Sequence, residues 1–231
     1  MKTVFITGGN KGLGYETAKR LIRMGYRVYI GCRNKERGEL AASELGAEMI
    51  QIDVTQDTSV KEAAQMMMAK EGRLDVLINN AGIAGVFAKP EDITGKDMER
   101  VFDTNVFGIV RVTNAFIPLL RKSENPVIVN VSSGLGSFGM VTDNTTEESK
   151  VNSLTYCASK SAVSMLTLQY AKGLPDIKVN CADPGATATD LNGGRGKQTV
   201  QEGTDAIVKL AAIDKDGPTG VFMSRRGIVP W

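Results

Sequence analysis

Short apolar runs alternate with amphipathic segments of about 10–20 residues along the chain, and this alternation most constrains its fold. The first run, Val4 to Thr7, precedes a helical pattern in which Leu13, Thr17 and Leu21 share one face. Further apolar runs begin near residues 28, 48, 74, 126, 178 and 220. Strands that alternate with helices predict an α/β fold, a doubly wound parallel sheet of about seven strands with helices on both faces.

Residues of unusual chemistry follow these runs at their carboxyl ends, which is where open parallel sheets bind ligands. No repeat or linker interrupts the pattern, so we expect one domain over residues 1–231. The residues at the strand ends are a glycine-rich turn, Arg33, Asp53, Asn80, the pair Ser132 and Ser133, and Pro184-Gly185.

The first strand ends in a glycine-rich turn, Thr7-Gly8-Gly9-Asn10-Lys11-Gly12-Leu13-Gly14, immediately before a helix. Glycine lets the backbone turn tightly and approach a pyrophosphate, which the helix N-terminus stabilises. The alternative is that the glycines only allow the backbone to turn, but their position between a strand and a helix favours nucleotide binding. The predicted cofactor-binding residues of this turn are Gly8, Asn10, Lys11, Gly12, Leu13 and Gly14.

The end of the second strand predicts which nucleotide binds. A carboxylate there would bind the ribose hydroxyls of NAD, but the residues are Gly31, Cys32 and Arg33. Arg33 can bind a 2′-phosphate through two hydrogen bonds, and Lys11 can reach the same phosphate. We therefore expect NADPH/NADP+, the alternative being that both side chains are solvated surface cations.

The third and fourth strands end in two further candidates. Asp53, followed by Val54, either accepts a hydrogen bond from the adenine amino group or serves as a helix N-terminal carboxylate. The small residues after Asn79, namely Asn80, Ala81 and Gly82, either let a cofactor lie against the backbone or form a plain turn.

Tyr156 and Lys160 are four residues apart in a predicted helix, so they share one face. An ammonium about 4 Å from the phenol, at an effective dielectric of about 20, would favour the phenolate by roughly 4 kcal/mol. This predicts a pKa for Tyr156 below its usual value of about 10, suited to proton transfer near neutral pH. Any amphipathic helix can carry such a pair, but the chain has no His, so proton chemistry must use other groups.

Two further polar residues are candidates for the same site. Asn105 shares a predicted apolar helix face with Val101 and Ile109, and an unpartnered buried amide costs roughly 1–3 kcal/mol. It therefore bonds backbone or holds a water. Ser132 and Ser133 end the fifth strand, where a hydroxyl positions a carbonyl oxygen or caps the strand, and the sequence does not decide which Ser faces the site.

These motifs stand in the order typical of the short-chain dehydrogenase/reductase family, which the chain resembles over essentially its whole length. Its glycine turn and the region of Arg33 resemble those of NADPH-dependent carbonyl reductases. The resemblance implies a Rossmann-type fold, NADPH as cofactor and a small-molecule ketone or aldehyde as substrate.

The resemblance also implies the role of each residue. Tyr156 would donate the proton as hydride arrives, and Lys160 would lower the pKa of Tyr156 and bind the nicotinamide ribose. Ser133 would position the substrate oxygen, and Asn105 would anchor the water of a proton relay. The cofactor carboxamide and phosphates would contact Pro184, Gly185, Thr187 and Thr189.

Two departures from the family pattern stand out. The gap from Ser133 to Tyr156 is longer than is commonest, and a polar loop over 142–150 fills it, as in monomeric carbonyl reductases. Both a homo-oligomer and a monomer therefore stay open as alternatives. Asp183 replaces a residue that is more often uncharged or basic, and it has no evident role.

Composition narrows the classes of partner and the cellular compartment that we expect. The 28 Lys and Arg balance 26 Asp and Glu, which gives no indication of nucleic acid or an anionic membrane surface. The three separated Cys are expected to be reduced, without a metal site, in a cytoplasmic protein that has no signal peptide or membrane span. The alternatives to a carbonyl reductase are an NADPH-binding sensor without turnover and a reductase of C=N or C=C bonds.

Overall fold

One mixed sheet forms the centre of the computed structural model, which describes residues 1–231. The strands are β1 (Thr3–Thr7), β2 (Arg27–Cys32), β3 (Glu48–Gln51), β4 (Val76–Asn79), β5 (Val127–Val131), β6 (Lys178–Asp183), β7 (Phe222–Ser224) and β8 (Gly227–Ile228).

The strand order is β3-β2-β1-β4-β5-β6-β7-β8. The first seven strands are parallel, and β8 pairs antiparallel with β7. The predicted doubly wound sheet is confirmed, with β8 added, since a strand of two residues is too short to show a periodic pattern. The order reverses between β1 and β4, and such a switch point opens a crevice at the carboxyl ends of the strands.

Nine α-helices accompany the strands. They are α1 (Gly12–Arg23), α2 (Lys35–Leu45), α3 (Asp57–Glu71), α4 (Gly95–Phe102), α5 (Gly108–Leu120), α6 (Phe138–Val141), α7 (Leu154–Gly173), α8 (Val200–Gly203) and α9 (Asp205–Ala211). No helix among them combines the length and the hydropathy that a bilayer crossing requires.

The sequence pattern predicts one long helix over about 96–120 and another near 200–212, and the structure divides both. A π-helical turn over Asp103–Phe107 separates α4 from α5, and Thr204 separates α8 from α9. A π turn adds a residue to the helical repeat without removing the apolar pattern on either side, so periodicity does not reveal it. This turn carries Asn105, and such turns are frequent at functional sites.

The core lies on both faces of the sheet because successive strand residues point to opposite sides. Val4 and Ile6 of β1 pack in the layer beneath α1, α2 and α9, whereas Phe5 packs in the layer beneath α3 and α5. The rings of Phe5 and Phe116 stack with centroids 4.8 Å apart. Covering both faces leaves the carboxyl edge of the sheet as the open side.

Candidate active site

A cleft of about 790 Å³ opens at the carboxyl edge, across the switch point between β1 and β4. Most of the predicted cofactor-binding residues line it, although they come from six separate parts of the chain. They are Gly8, Asn10, Lys11, Gly12, Leu13, Arg33, Asp53, Val54, Asn80, Ala81, Gly82, Tyr156, Lys160, Pro184 and Thr189.

Three residues predicted to bind the cofactor lie behind the wall of the cleft. A Cβ on Gly14 would collide with the carbonyl of Gly8, so Gly14 allows the turn to fold against its own helix. The buried Thr187 donates its hydroxyl to the carbonyl of Pro184 at 2.8 Å, and Gly185 adopts a φ of 65° in the same turn.

Thr7 and Asn80 hold the glycine turn in place. The amide of Asn80 donates to the carbonyls of Thr7 at 2.9 Å and Gly8 at 3.1 Å. The hydroxyl of Thr7 accepts from the backbone N–H groups of Asn80 and Ala81. The end of β4 is therefore tied to the end of β1, and the motif after Asn79 is more than a plain turn.

The glycine turn fits a phosphate group. The first turn of α1 has no side-chain cap at Lys11, so its N–H groups are not occupied by the chain's own side chains. Gly12 has a φ of 55°, and a Cβ there would project into the cleft, with Thr189 as its nearest neighbour at 3.8 Å. Free N–H groups and open backbone at a helix N-terminus are what a pyrophosphate requires.

The cations at the end of β2 are only partly those that were predicted. Arg33 is exposed at the cleft and forms no ion pair, and Arg37 of α2 lines the cleft beside it. Sequence reasoning missed Arg37, whose signal was a second Arg one helical turn further on. Lys11 instead pairs with Asp190 at 2.8 Å, and both side chains are largely exposed.

Asp53 has a structural partner. Its Oδ1 accepts from the backbone N–H and the hydroxyl of Thr55, at 3.0 and 2.7 Å. The carboxylate thus shapes the turn before α3 while it lines the cleft.

Lys160 and Tyr156 lie on the face of α7 that borders the cleft. The ammonium of Lys160 is 5.5 Å from the centroid of the Tyr156 ring and donates to the carbonyl of Val131, at the end of β5, at 2.7 Å. Burial lowers the pKa of Lys160 to about 8. The pair shares one face as predicted.

The pKa of Tyr156 departs from the sequence prediction. Burial raises it above the usual value, the hydrogen bond with Ser133 opposes this increase, and the charge of Asp183 adds to it. The expected pKa below 10 is therefore not met, and Lys160 is not among the causes of the shift. The ammonium of Lys160 donates to the carbonyl of Val131.

The structure gives the two serines different surroundings. Ser132 lines the cleft, is buried and donates its hydroxyl to the carbonyl of Lys160 at 3.0 Å, which fixes β5 to α7. Ser133 lies near enough to Tyr156 to oppose the rise in the pKa of that phenol, and its Oγ accepts from the N–H of Leu135 at 3.2 Å. The role of Ser133 toward a substrate oxygen stays a prediction.

Asn105 binds backbone, as one of the two alternatives predicted. Its amide donates to the carbonyl of Ile83 and the hydroxyl of Ser159, and its Oδ1 accepts from the N–H of Ile83. A Cβ on Gly82 would lie 3.3 Å from this Oδ1 and 3.8 Å from the ammonium of Lys160. Asn105 and Lys160 thus meet at Gly82, and whether Asn105 also anchors a water stays a prediction.

A doubly wound sheet with a phosphate-type glycine turn and a Tyr-Lys pair in one cleft is typical of a dinucleotide-dependent oxidoreductase. The family model for short chain dehydrogenases matches residues 2–199. The chain therefore belongs to the short-chain dehydrogenase/reductase family, whose members use a nicotinamide cofactor.

Individual relatives agree with this placement. Salutaridine reductase of Papaver bracteatum is 32% identical, over 96% of this chain and 94% of that protein. The (+)-neomenthol dehydrogenase of Arabidopsis thaliana is 31% identical, over 96% of each. The crystal structure of NADPH-bound carbonyl reductase from chicken fatty liver superposes with a TM-score of 0.87 at 27% identity, covering 100% of this chain and 99% of that one.

Proposed function

We propose that this protein is an NADPH-dependent reductase that converts a ketone or aldehyde to an alcohol, with Tyr156 as proton donor. The observation that carries the proposal is that Tyr156 and Lys160 border the same cleft as the glycine turn and Arg33, with the ammonium of Lys160 5.5 Å from the centroid of the Tyr156 ring. When bound, the nicotinamide would supply the hydride.

The cleft offers a partner for each part of the cofactor. The glycine turn and the first N–H groups of α1 would hold the pyrophosphate, and Arg33 with Arg37 would hold the 2′-phosphate. Asp53 would lie near the adenine, and Lys160 would reach the ribose of the nicotinamide. The NADPH-bound carbonyl reductase from chicken supports this choice of cofactor. A ketoacyl reductase of the same fold is described with NADH, so the preference depends on the residues that follow β2.

The electrostatics of the site suit reduction. A proton donor must carry its proton before the reaction, and burial, by raising the pKa of Tyr156, keeps the phenol neutral. Ser133 would bind the same carbonyl oxygen that Tyr156 protonates. Lys160, whose pKa is about 8, is mostly protonated at neutral pH and would stabilise the phenolate left after transfer.

Replacement of Tyr156 by Phe tests the proposal. This change keeps the ring and removes the proton, so we expect kcat for carbonyl reduction to fall at least roughly 10²-fold, with NADPH affinity nearly unchanged. The measurement is NADPH absorbance with a panel of ketones and aldehydes.

Tyr170→Phe is the matched control. Tyr170 lies on the same helix, but its hydroxyl donates to Asn114 outside the cleft. A Tyr156→Phe enzyme that keeps more than about a tenth of its activity would contradict the assignment. Tight NADPH binding without turnover of any carbonyl would indicate a sensor, and turnover of only C=N or C=C compounds would indicate the third alternative.

A further inference from the structure

Asp183 is a buried carboxylate at the end of β6, beside the proposed site. It is 5% exposed. Its Oδ1 accepts two backbone hydrogen bonds, from the N–H of Gly134 at 2.9 Å and from the N–H of Gly185 at 2.9 Å. One oxygen atom therefore joins the loop after β5 to the turn after β6.

Each of these two loops adjoins a different part of the proposed site. Gly134 directly follows Ser133, which acts on the pKa of Tyr156. Gly185 directly follows Pro184, which lines the cleft. The loop after Ser133 also packs tightly on α7, since a Cβ on Gly136 would collide with the backbone of Lys160.

The charge of Asp183 also acts on the proton donor. It raises the pKa of Tyr156, in addition to the larger effect of burial. The ionisable groups that interact with it are Tyr156 of α7 and Glu148 from the loop before that helix, while Cys157 of α7 also acts on Tyr156. Burial raises the pKa of Asp183 first, and Glu148 raises it further, while the bonds from Gly185 and Gly134 oppose both. Glu148 lies against the same loop, its Oε1 3.1 Å from where a Cβ on Gly134 would stand.

We propose that Asp183 is a positioning residue of this site, which holds the Ser133 loop in register with the Pro184-Gly185 turn and brings a buried carboxylate to the site. The inference rests on the proposed function for its effect on the reaction. The contact between the two loops is independent of it.

Two substitutions separate the two effects. Asp183→Asn keeps an oxygen that can accept from both N–H groups but removes the charge, whereas Asp183→Ala removes both. We expect Asp183→Ala to lower kcat for carbonyl reduction at least roughly tenfold, because small misplacements of reacting groups are costly. Asp183→Asn should restore most of that loss.

The pH profile distinguishes the charge from packing. A carboxylate beside the phenol disfavours the phenolate, so its removal lowers the pKa of Tyr156. In alcohol oxidation Tyr156 must first lose its proton, and the rate rises with pH. The rising limb for Asp183→Asn should therefore move to lower pH, by roughly 0.5–1 pH unit for one screened charge. Asp216→Asn, which removes an exposed carboxylate outside the cleft, should not move it.

Hydrogen exchange supplies a readout that needs no turnover. In Asp183→Ala, the amides of Gly134 and Gly185 should both exchange faster, and in Asp183→Asn they should stay protected. If no carbonyl is reduced by the wild type, the proposed function fails, while the exchange of these two amides still decides the contact. The inference would be overturned if Asp183→Ala kept the amide exchange rates and the kcat of the wild type. It would also be overturned if the rising limb of the pH profile stayed at the same pH in Asp183→Asn. If Asp183→Ala does not fold, the pH profile of Asp183→Asn remains decisive.

Discussion

Charge reversal at Arg33 is the sharpest test of the cofactor preference. Arg33 stands at the cleft without an ion-pair partner, at the end of the strand where a carboxylate would select NAD. Arg33→Asp removes a donor for the 2′-phosphate and introduces an acceptor for free ribose hydroxyls. We expect kcat/KM to fall with NADPH and to rise with NADH, while kcat for a given carbonyl changes little.

The size of the change follows from exposure. A hydrogen bond to a charged group contributes about 1.5–3 kcal/mol, and solvent screening at an exposed Arg favours the lower end, which is about tenfold in preference. The new carboxylate also repels a phosphate that carries nearly two charges. Together these effects predict a change of about 10²-fold or more in the ratio of the two kcat/KM values.

Lys11 should matter less than Arg33. Its ammonium pairs with Asp190 at 2.8 Å, with the two side chains 63% and 79% exposed. A surface pair of this kind contributes about 0–1 kcal/mol, so a phosphate can compete for Lys11, but the competition reduces the gain. Lys11→Ala should therefore change the preference less than Arg33→Ala.

Steady-state kinetics with NADPH and with NADH decides whether Arg33 sets the cofactor preference. Lys35→Asp is the control, because it makes the same change of charge two residues away on a side chain that does not line the cleft. The wild-type preference should also shrink between about 0.1 and 1 M salt, as the Debye length falls from about 10 to 3 Å. A wild type that prefers NADH, or an unchanged ratio in Arg33→Asp, would refute the reasoning.

Two further predictions concern order and stability. The segment 188–200 contains three glycines and is joined to its neighbours by the exposed ion pairs Lys11–Asp190 and Lys197–Glu147. We expect it to close over bound NADPH as a lid, so its amides should exchange more slowly with NADPH bound, and equal exchange rates with and without NADPH would contradict this. Gly14→Ala places a Cβ against the carbonyl of Gly8 and should lower the free energy of unfolding by about 1–3 kcal/mol, whereas the Cβ of Gly95→Ala meets open space and should not. Equal midpoints of urea unfolding for Gly14→Ala and the wild type would count against the tight turn.

The sequence alone determined the architecture and the place of the cleft. Alternation of strand and helix patterns is local information, and parallel strands bring their carboxyl ends to one edge whatever the details of packing. The glycine turn is equally local, since strand, turn and helix N-terminus are adjacent in the chain. For this reason the sequence places residues as far apart as Gly12, Arg33 and Tyr156 at one edge of the sheet, and all three line the cleft.

Tertiary structure decided the chemistry within that cleft. The bond of Ser132 to Lys160, the pairing of Lys11 with Asp190, and the bond of Asp183 to Gly134 all join residues distant in sequence. Spacing placed Tyr156 and Lys160 on one helix face but gave the wrong direction for the phenol's pKa. Ionisation depends on burial and on the direction in which each charge points, and both are set by neighbouring elements that no local pattern specifies.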